Sequence, residues 1–186
     1  MPSILRVNGR RRLEGEVRAA GAKNAALPMM AAAILADEPV LLAGVPHLLD
    51  VDTMGRILRE LGIEVLWDED DTVQLRTIDA RPVRAPYRLL RRMRAGFCVL
   101  GPLLARRGEA VVALPGGCAI GPRPVDLHLA GLKSLGAEIE LRHGYVVARA
   151  RQLRGATIRM AGPDGPTVTG TANVLSAAVL AEGITV

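Results

Sequence analysis

The stretch Asp52-Thr53-Met54-Gly55-Arg56-Ile57-Leu58-Arg59-Glu60-Leu61-Gly62-Ile63-Glu64-Val65 returns about 74 positions later as Asp126-Leu127-His128-Leu129-Ala130-Gly131-Leu132-Lys133-Ser134-Leu135-Gly136-Ala137-Glu138-Ile139. In both copies Leu and Ile recur at helical spacing, Gly62 or Gly136 stops the helix, and an extended segment follows. A second pattern, a helix of small residues running into a strand, occurs three times, at residues 32–41, 103–112 and 177–186. Together the two patterns define a unit of helix, strand, helix, strand, strand, about 70 to 75 residues long. Two units are whole and the third reaches only its first strand, at Gly183-Ile184. A domain seldom stops inside a buried strand with the following helix absent. The chain is therefore expected to be an incomplete piece of a longer protein.

The 186 residues are long enough for one sizeable domain with its own core, and 49% of them are hydrophobic, which excludes a disordered chain. Only Trp67, Tyr87, Phe97 and Tyr145 are aromatic, so the core must be built from Leu, Val, Ile, Ala and Met. A net charge of +5 raises the question of nucleic acid. The arginines are scattered beyond short clusters at Arg10 to Arg12 and Arg88 to Arg94, and no aromatic stacking face accompanies them. A small anionic substrate makes better use of this charge, and neither nucleic acid nor a membrane is expected as a partner. The amino terminus has no apolar signal core and no apolar run reaches spanning length, so a cytoplasmic location is expected. Cys98 and Cys118 form no disulfide framework, and His47, His128 and His143 are isolated, with structural or surface roles and no metal site.

Four places carry chemistry. Lys23 and Asn24, within Gly21-Ala22-Lys23-Asn24-Ala25-Ala26-Leu27-Pro28, fall at a predicted helix start that Asn24 is able to cap. Free backbone N–H groups and a lysine there make a natural anion site, although an ordinary capped helix with a solvated lysine reads the same way. Between a strand and the second unit's helix lies the Gly/Pro-rich loop Leu114-Pro115-Gly116-Gly117-Cys118-Ala119-Ile120-Gly121-Pro122-Arg123-Pro124-Val125-Asp126. Such a loop lets backbone and side chains approach a ligand, and Arg123 beside a helix start would lower the pKa of Cys118. The residues alone leave Cys118 open between a reactive and an inert thiol, whereas Cys98, in an apolar run, reads as buried. Arg123 is suited to fork onto a phosphate or carboxylate, and Asp126 reads as a helix cap. Arg94 precedes a predicted helix over 95–104, either as an anion contact or as one more arginine of a basic stretch.

GAKNAALP at 21–28, MRAGF at 93–97, the loop stretch LPGGCAIGPRPVDLHLAGL at 114–132 and LGAEIELRHGYV at 135–146 together resemble the UDP-N-acetylglucosamine 1-carboxyvinyltransferase branch of the enolpyruvyl transferases. The resemblance runs from Gly21 to at least Thr171, and its most specific part surrounds Cys118. It implies an α/β fold in which each of two domains is an inside-out α/β barrel of three units, here about 21–92, 93–165 and an incomplete 166–186. Residues 1–20 would be strands that pack with a C-terminal domain missing from this chain.

The resemblance also implies the site. Lys23 and Asn24 match contacts to phosphoenolpyruvate and sugar, and Arg94 matches a substrate-binding arginine. Cys118 matches a loop cysteine that acts as general acid and is alkylated by fosfomycin. Arg123, Pro124, Val125, Asp126 and Leu127 match the strip that holds the nucleotide of UDP-N-acetylglucosamine. Gly165, Pro166, Thr167 and Val168 match a second nucleotide contact, with Thr167 where serine is common in the family. The implied reaction is enolpyruvyl transfer to the sugar 3′-hydroxyl with release of phosphate, the first committed step of peptidoglycan synthesis, with no cofactor and no metal. The isolated chain is expected to be inactive. The alternatives are a nucleotide-sugar binding module without catalysis and a relative that uses shikimate 3-phosphate.

Overall fold

The computed structural model describes residues 4–10, 12–115, 125–163 and 165–186. Residues 4–10 and 12–20 form no helix or strand and are exposed. The first unit begins with helix α1 (Lys23–Ala32), continued by a 3-10 turn over Ala33–Leu35, then strand β1 (Val40–Leu42), helix α2 (Leu49–Glu60) and strands β2 (Ile63–Trp67) and β3 (Val73–Thr77). Next come β4 (Arg84–Ala85), a one-turn helix α3 (Tyr87–Leu90) and a 3-10 helix over Arg94–Val99 that runs directly into α4 (Leu100–Arg107). The second unit continues with β5 (Glu109–Ala113), α5 (Asp126–Ser134), β6 (Glu138–Arg142) and β7 (Tyr145–Arg149). The hairpin β8 (Ala161–Gly162) and β9 (Gly165–Pro166) leads into α6 (Val168–Ala178).

The repeat read from Asp52–Val65 and Asp126–Ile139 is a repeat in space. In the first sheet, of order β1-β3-β2, Leu75 stands opposite both Val40 and Val65, and both ladders are antiparallel. The second sheet contains the same arrangement as β5-β7-β6, with Val147 opposite both Val111 and Glu140. Each helix of the repeat ends at a glycine in the left-handed region, Gly62 at φ +76° and Gly136 at φ +96°, where a side chain would be strained. The alternation of buried and exposed residues along β2 and β3 turns one face to the helices.

The expected inside-out barrel is not what the structure contains. Among the described residues the sheets β1-β3-β2, β4-β5-β7-β6 and β8-β9 are open and separate, and none of them is closed into a barrel. The architecture is α/β with mixed sheets, because β4 adds to β5 in parallel while the other ladders are antiparallel. The edges show why no ladder joins the sheets. Strand β1 spans three residues, and β6, Glu-Ile-Glu-Leu-Arg, presents exposed charges along its free edge. The third unit's expected strand at Gly183-Ile184 is not a regular strand either. Its backbone runs beside residues 155–158, with Ile158 N–H donating to Val186 and Val186 N–H to Ala156.

The core lies between the sheets and a group of central helices. Five consecutive residues of α4, Leu100 to Leu104, are buried, and α4 packs on α6 through Gly101. A Cβ at Gly101 would stand 2.0 Å from the Asn173 carbonyl oxygen, so this close approach requires glycine. Apart from Phe97, the largest fully buried side chains are Leu, Ile and Met, as the aromatic-poor composition requires.

Candidate functional site

Lys23 and Asn24 open α1, but the helix is not capped as expected. Its N-cap is Ala22, which has no side-chain acceptor, and Asn24 lies exposed inside the first turn. The first-turn N–H groups are thus left without a side-chain cap, which favours an anion there. Pro28 sits farther in and supplies no N–H to the Asn24 carbonyl. The half-buried Lys23 ammonium donates to Asp50 at 2.7 Å, from the first turn of α2. The sequence alone does not mark Asp50 as a site residue. Its only local signal is a helix start with two acids, Asp50 and Asp52, and its partner lies 27 positions away.

Arg94 begins the 3-10 helix instead of preceding a single α-helix over 95–104. It is half-buried, and its charge reaches both Cys98 and His128. Burial pushes the Cys98 thiol up to about 11, against a smaller opposing pull from Arg94, so this cysteine stays protonated and unreactive near neutrality. Its expected burial is observed.

Helix α5 starts at Asp126, with Val125 at the N-cap position and no side-chain cap. Asp126 is therefore a first-turn residue, where its charge suits the helix dipole, and not the cap expected. Leu127 lies against Gly162 of β8, since a Cβ on that glycine would stand 3.7 Å from the leucine methyls. Gly165 and Pro166 form β9, and Thr167 caps α6 by accepting from the Gly170 N–H at 3.1 Å. Val168 stands exposed at the helix start. Cys118, Arg123 and Pro124 lie outside the described residues.

The structure thus brings the starts of α5 and α6 together, with the β8-β9 hairpin beside Leu127. Arg94 is near enough to His128 of α5 to act on its charge. Lys23 and Asp50 form a separate pair on α1 and α2, and α1 packs on the 3-10 helix that carries Arg94. Two clefts stand apart from these residues. One, of about 830 Å³, is bordered by Arg107, Glu109, Glu138, Arg149 and Arg154. The other, of about 380 Å³, is bordered by Arg56, Arg59, Glu60, Arg88 and Arg92. Neither takes a predicted site residue in its lining. Among the described residues no group of three or more His, Cys, Asp and Glu is placed to hold a metal ion. No helix of the described residues is long and apolar enough to cross a membrane.

Residues 7–186 match the family described as EPSP synthase (3-phosphoshikimate 1-carboxyvinyltransferase). The chain belongs to this family. Within it, the chain is 52% identical over 182 residues to a UDP-N-acetylglucosamine 1-carboxyvinyltransferase of Halorhodospira halophila (strain DSM 244 / SL1), an alignment covering 98% of this chain and 43% of that protein. A second relative with the same name, from Hydrogenovibrio crunogenus (strain DSM 25203 / XCL-2), is 49% identical over 179 residues, or 96% of this chain and 42% of its own length. The chain therefore spans about two fifths of these EPSP synthase family relatives.

Among solved structures of related folds, the enolpyruvyl transferase NikO from Streptomyces tendae superposes with a TM-score of 0.75 at 25% identity, over 94% of this chain and 40% of that one. An EPSP synthase from Acinetobacter baumannii matches at TM-score 0.67 and 18% identity, over 91% of this chain and 39% of its own, which speaks for the fold alone.

Proposed function

We propose that the protein containing this chain transfers the enolpyruvyl group of phosphoenolpyruvate to the 3′-hydroxyl of UDP-N-acetylglucosamine and releases phosphate. The observation that carries this reading is the 52% identity, along nearly the whole chain, to a protein named for that transfer. In this reading Lys23, set by Asp50 at an uncapped helix start, and Arg94 bind the anionic substrate. Asn24 contacts phosphoenolpyruvate and sugar from the same turn. The strip Arg123, Pro124, Val125, Asp126 and Leu127 holds the nucleotide, with Gly165, Pro166, Thr167 and Val168 on its other side. The sugar hydroxyl gives up its proton and attacks C2 of phosphoenolpyruvate while the Cys118 thiol protonates C3, and C3 then loses a proton as phosphate leaves and the double bond reforms. Fixed cationic groups and helix N–H donors stabilise the phosphate and carboxylate charges.

The reaction needs a cleft closed from a second side, and the remaining three fifths of the relatives' length would supply it. The exposed Ile4, Leu5, Val7, Leu13 and Val17 suit a segment that packs on such a second domain, with residues 21–186 forming the first. A cytoplasmic site of action belongs to the same reading.

Phosphate release from phosphoenolpyruvate by the full-length protein tests the reading, and it should require UDP-N-acetylglucosamine. Release with shikimate 3-phosphate instead would place the protein with the other acceptor class of the family. Tight binding of the nucleotide sugar without release would leave a binding module. Fosfomycin should add to Cys118 in the full-length protein. Mass spectrometry that finds the adduct on Cys98, or no adduct, would count against the role given to Cys118.

A further inference from the structure

Two buried polar side chains occupy places that the repeat elsewhere fills with apolar ones. His128 stands in α5 where Met54 stands in α2, and all but a trace of each is buried. Asn173 stands in α6 where the preceding copy has Val99, ahead of the matching runs that start at Leu103 and Ala177. Packing accepts Met and Val at these positions, so the polar pair requires a reason other than filling space.

The hydrogen bonds of Asn173 leave it one orientation. Its Oδ1 accepts the Gly101 N–H at 2.5 Å, and its Nδ2 donates to the Phe97 carbonyl at 3.2 Å. Gly101 offers a donor and Phe97 an acceptor, so the amide cannot be reversed. The second Nδ2 hydrogen faces His128 Nδ1 at 3.0 Å, which must therefore be an unprotonated acceptor. The ring's single proton then sits on Nε2, facing Thr169 Oγ1 at 3.4 Å.

Three segments meet here. Phe97 and Gly101 belong to the helical run that begins at Arg94. His128 directly follows Asp126-Leu127 in the first turn of α5, and Thr169 directly follows Thr167-Val168 in the first turn of α6. We infer that His128 and Asn173 are a positioning pair that sets the two nucleotide contacts, Asp126-Leu127 of the strip and Thr167-Val168 beside it, against Arg94, with the His128 ring held neutral and protonated on Nε2. This rests on the nucleotide-sugar reading of the preceding section.

The charges around the ring agree with that state. Burial and then Arg94, from the 3-10 helix, disfavour its protonation, and Asp126 of its own helix favours it less strongly, leaving a pKa of about 4. From α6 it meets only the uncharged Thr169 and Asn173. Cys98, on the same 3-10 helix as Arg94, carries no charge near neutrality.

The test is made on the protein as encoded in full length, with histidine labelled in 15N. Two-bond proton–nitrogen correlation should show His128 with bare Nδ1 and protonated Nε2, unchanged from pH 8 to pH 5. A proton on Nδ1 overturns the inference. His128→Asn places an amide oxygen near the lost Nδ1, and His128→Leu places no acceptor there. His128→Leu should raise the KM for UDP-N-acetylglucosamine about tenfold, in keeping with a lost buried hydrogen bond, and move the KM for phosphoenolpyruvate much less. His128→Asn should restore most of the loss. If His128→Leu does not fold, Thr169→Val removes the Nε2 partner alone and should raise the same KM about threefold. Wild-type protein with no UDP-N-acetylglucosamine-dependent phosphate release sinks the functional reading and takes this role with it. Active wild type with variants that leave both KM values unmoved sinks the positioning pair alone.

Discussion

The two copies of the repeat share strand order and helix position but not the way their helix ends are held. Gly62, after α2, lies against the backbone of the segment leaving β3, where a Cβ would stand 2.0 Å from the Asp79 carbonyl oxygen. That oxygen marks a crowded turn, closed by the Ile78 and Asp79 N–H groups donating to the Gly62 carbonyl. Gly136, at the matching place after α5, has its nearest such neighbour, the Gln152 carbonyl, 3.9 Å away. Sequence makes these glycines equivalent, and the backbone strain at positive φ is common to both. Only the first is also wedged. Gly62→Ala should therefore cost more than about 4 kcal/mol, since backbone as well as side chain must move, and Gly136→Ala about 1 to 2 kcal/mol. Urea unfolding of the two variants measures the gap, and equal losses would show that the left-handed conformation alone decides both sites.

A smaller difference separates the interiors of α2 and α5. Met54 has no proton to exchange, whereas His128 is buried with its pKa moved from 6.5 to about 4. As pH falls through 6.5 the unfolded chain takes up a proton that the native ring refuses. The stability linked to this group is full above pH 6.5, declines down to about pH 4, and levels off below. The shift sets an upper bound of about 3 kcal/mol on the decline. The stability gap between wild type and His128→Asn should therefore shift in favour of the variant across that interval, and a gap constant with pH would contradict it. Asp79, half-buried and held at about 2 by its hydrogen bonds with Arg81, titrates below this window and leaves the measurement clear.

What the sequence disclosed follows the same division between local and distant causes. The repeat was legible because each copy states its helix period and its glycine stop within fourteen residues. The two-residue β4 was not, since Arg84-Ala85 has no alternation to read and exists because β5 lies parallel beside it. A closed arrangement of sheets was expected by resemblance, and the short β1 and the charged edge of β6 leave the sheets open. Asn24 and Asp126 are cap-forming residue types that ended one or two positions inside their helices, an error of boundary and not of element. Lys23 was picked out by its place at a helix start, but its partner Asp50 is supplied by another helix. His128 looks isolated in the sequence because Asn173, which gives it a role, is 45 positions away.

The smallest predicted difference lies on the solvent faces of the two sheets. In the first, Glu64 and Arg76 stand opposite each other across β2 and β3 and are joined at 2.9 Å. In the second, Glu138 stands opposite Arg149 in the same way, yet that guanidinium turns to Glu109 on the strand's other flank, at 2.7 Å. One arginine between two carboxylates serves one of them here, so the repeat keeps the residue types while the ion pair moves to another strand. Exposed pairs of this kind contribute about 0.2 to 1 kcal/mol, reduced by salt. Glu64→Gln should thus lower stability by about 0.5 kcal/mol at low ionic strength and by less in 0.5 M salt, while Glu138→Gln should change almost nothing under either condition. Thermal unfolding of the two variants at both salt concentrations decides it. A Glu138→Gln loss equal to that of Glu64→Gln would mean that Arg149 divides its time between β5 and β6 in solution, and the two sheets would then be alike in charge as well as in strand order.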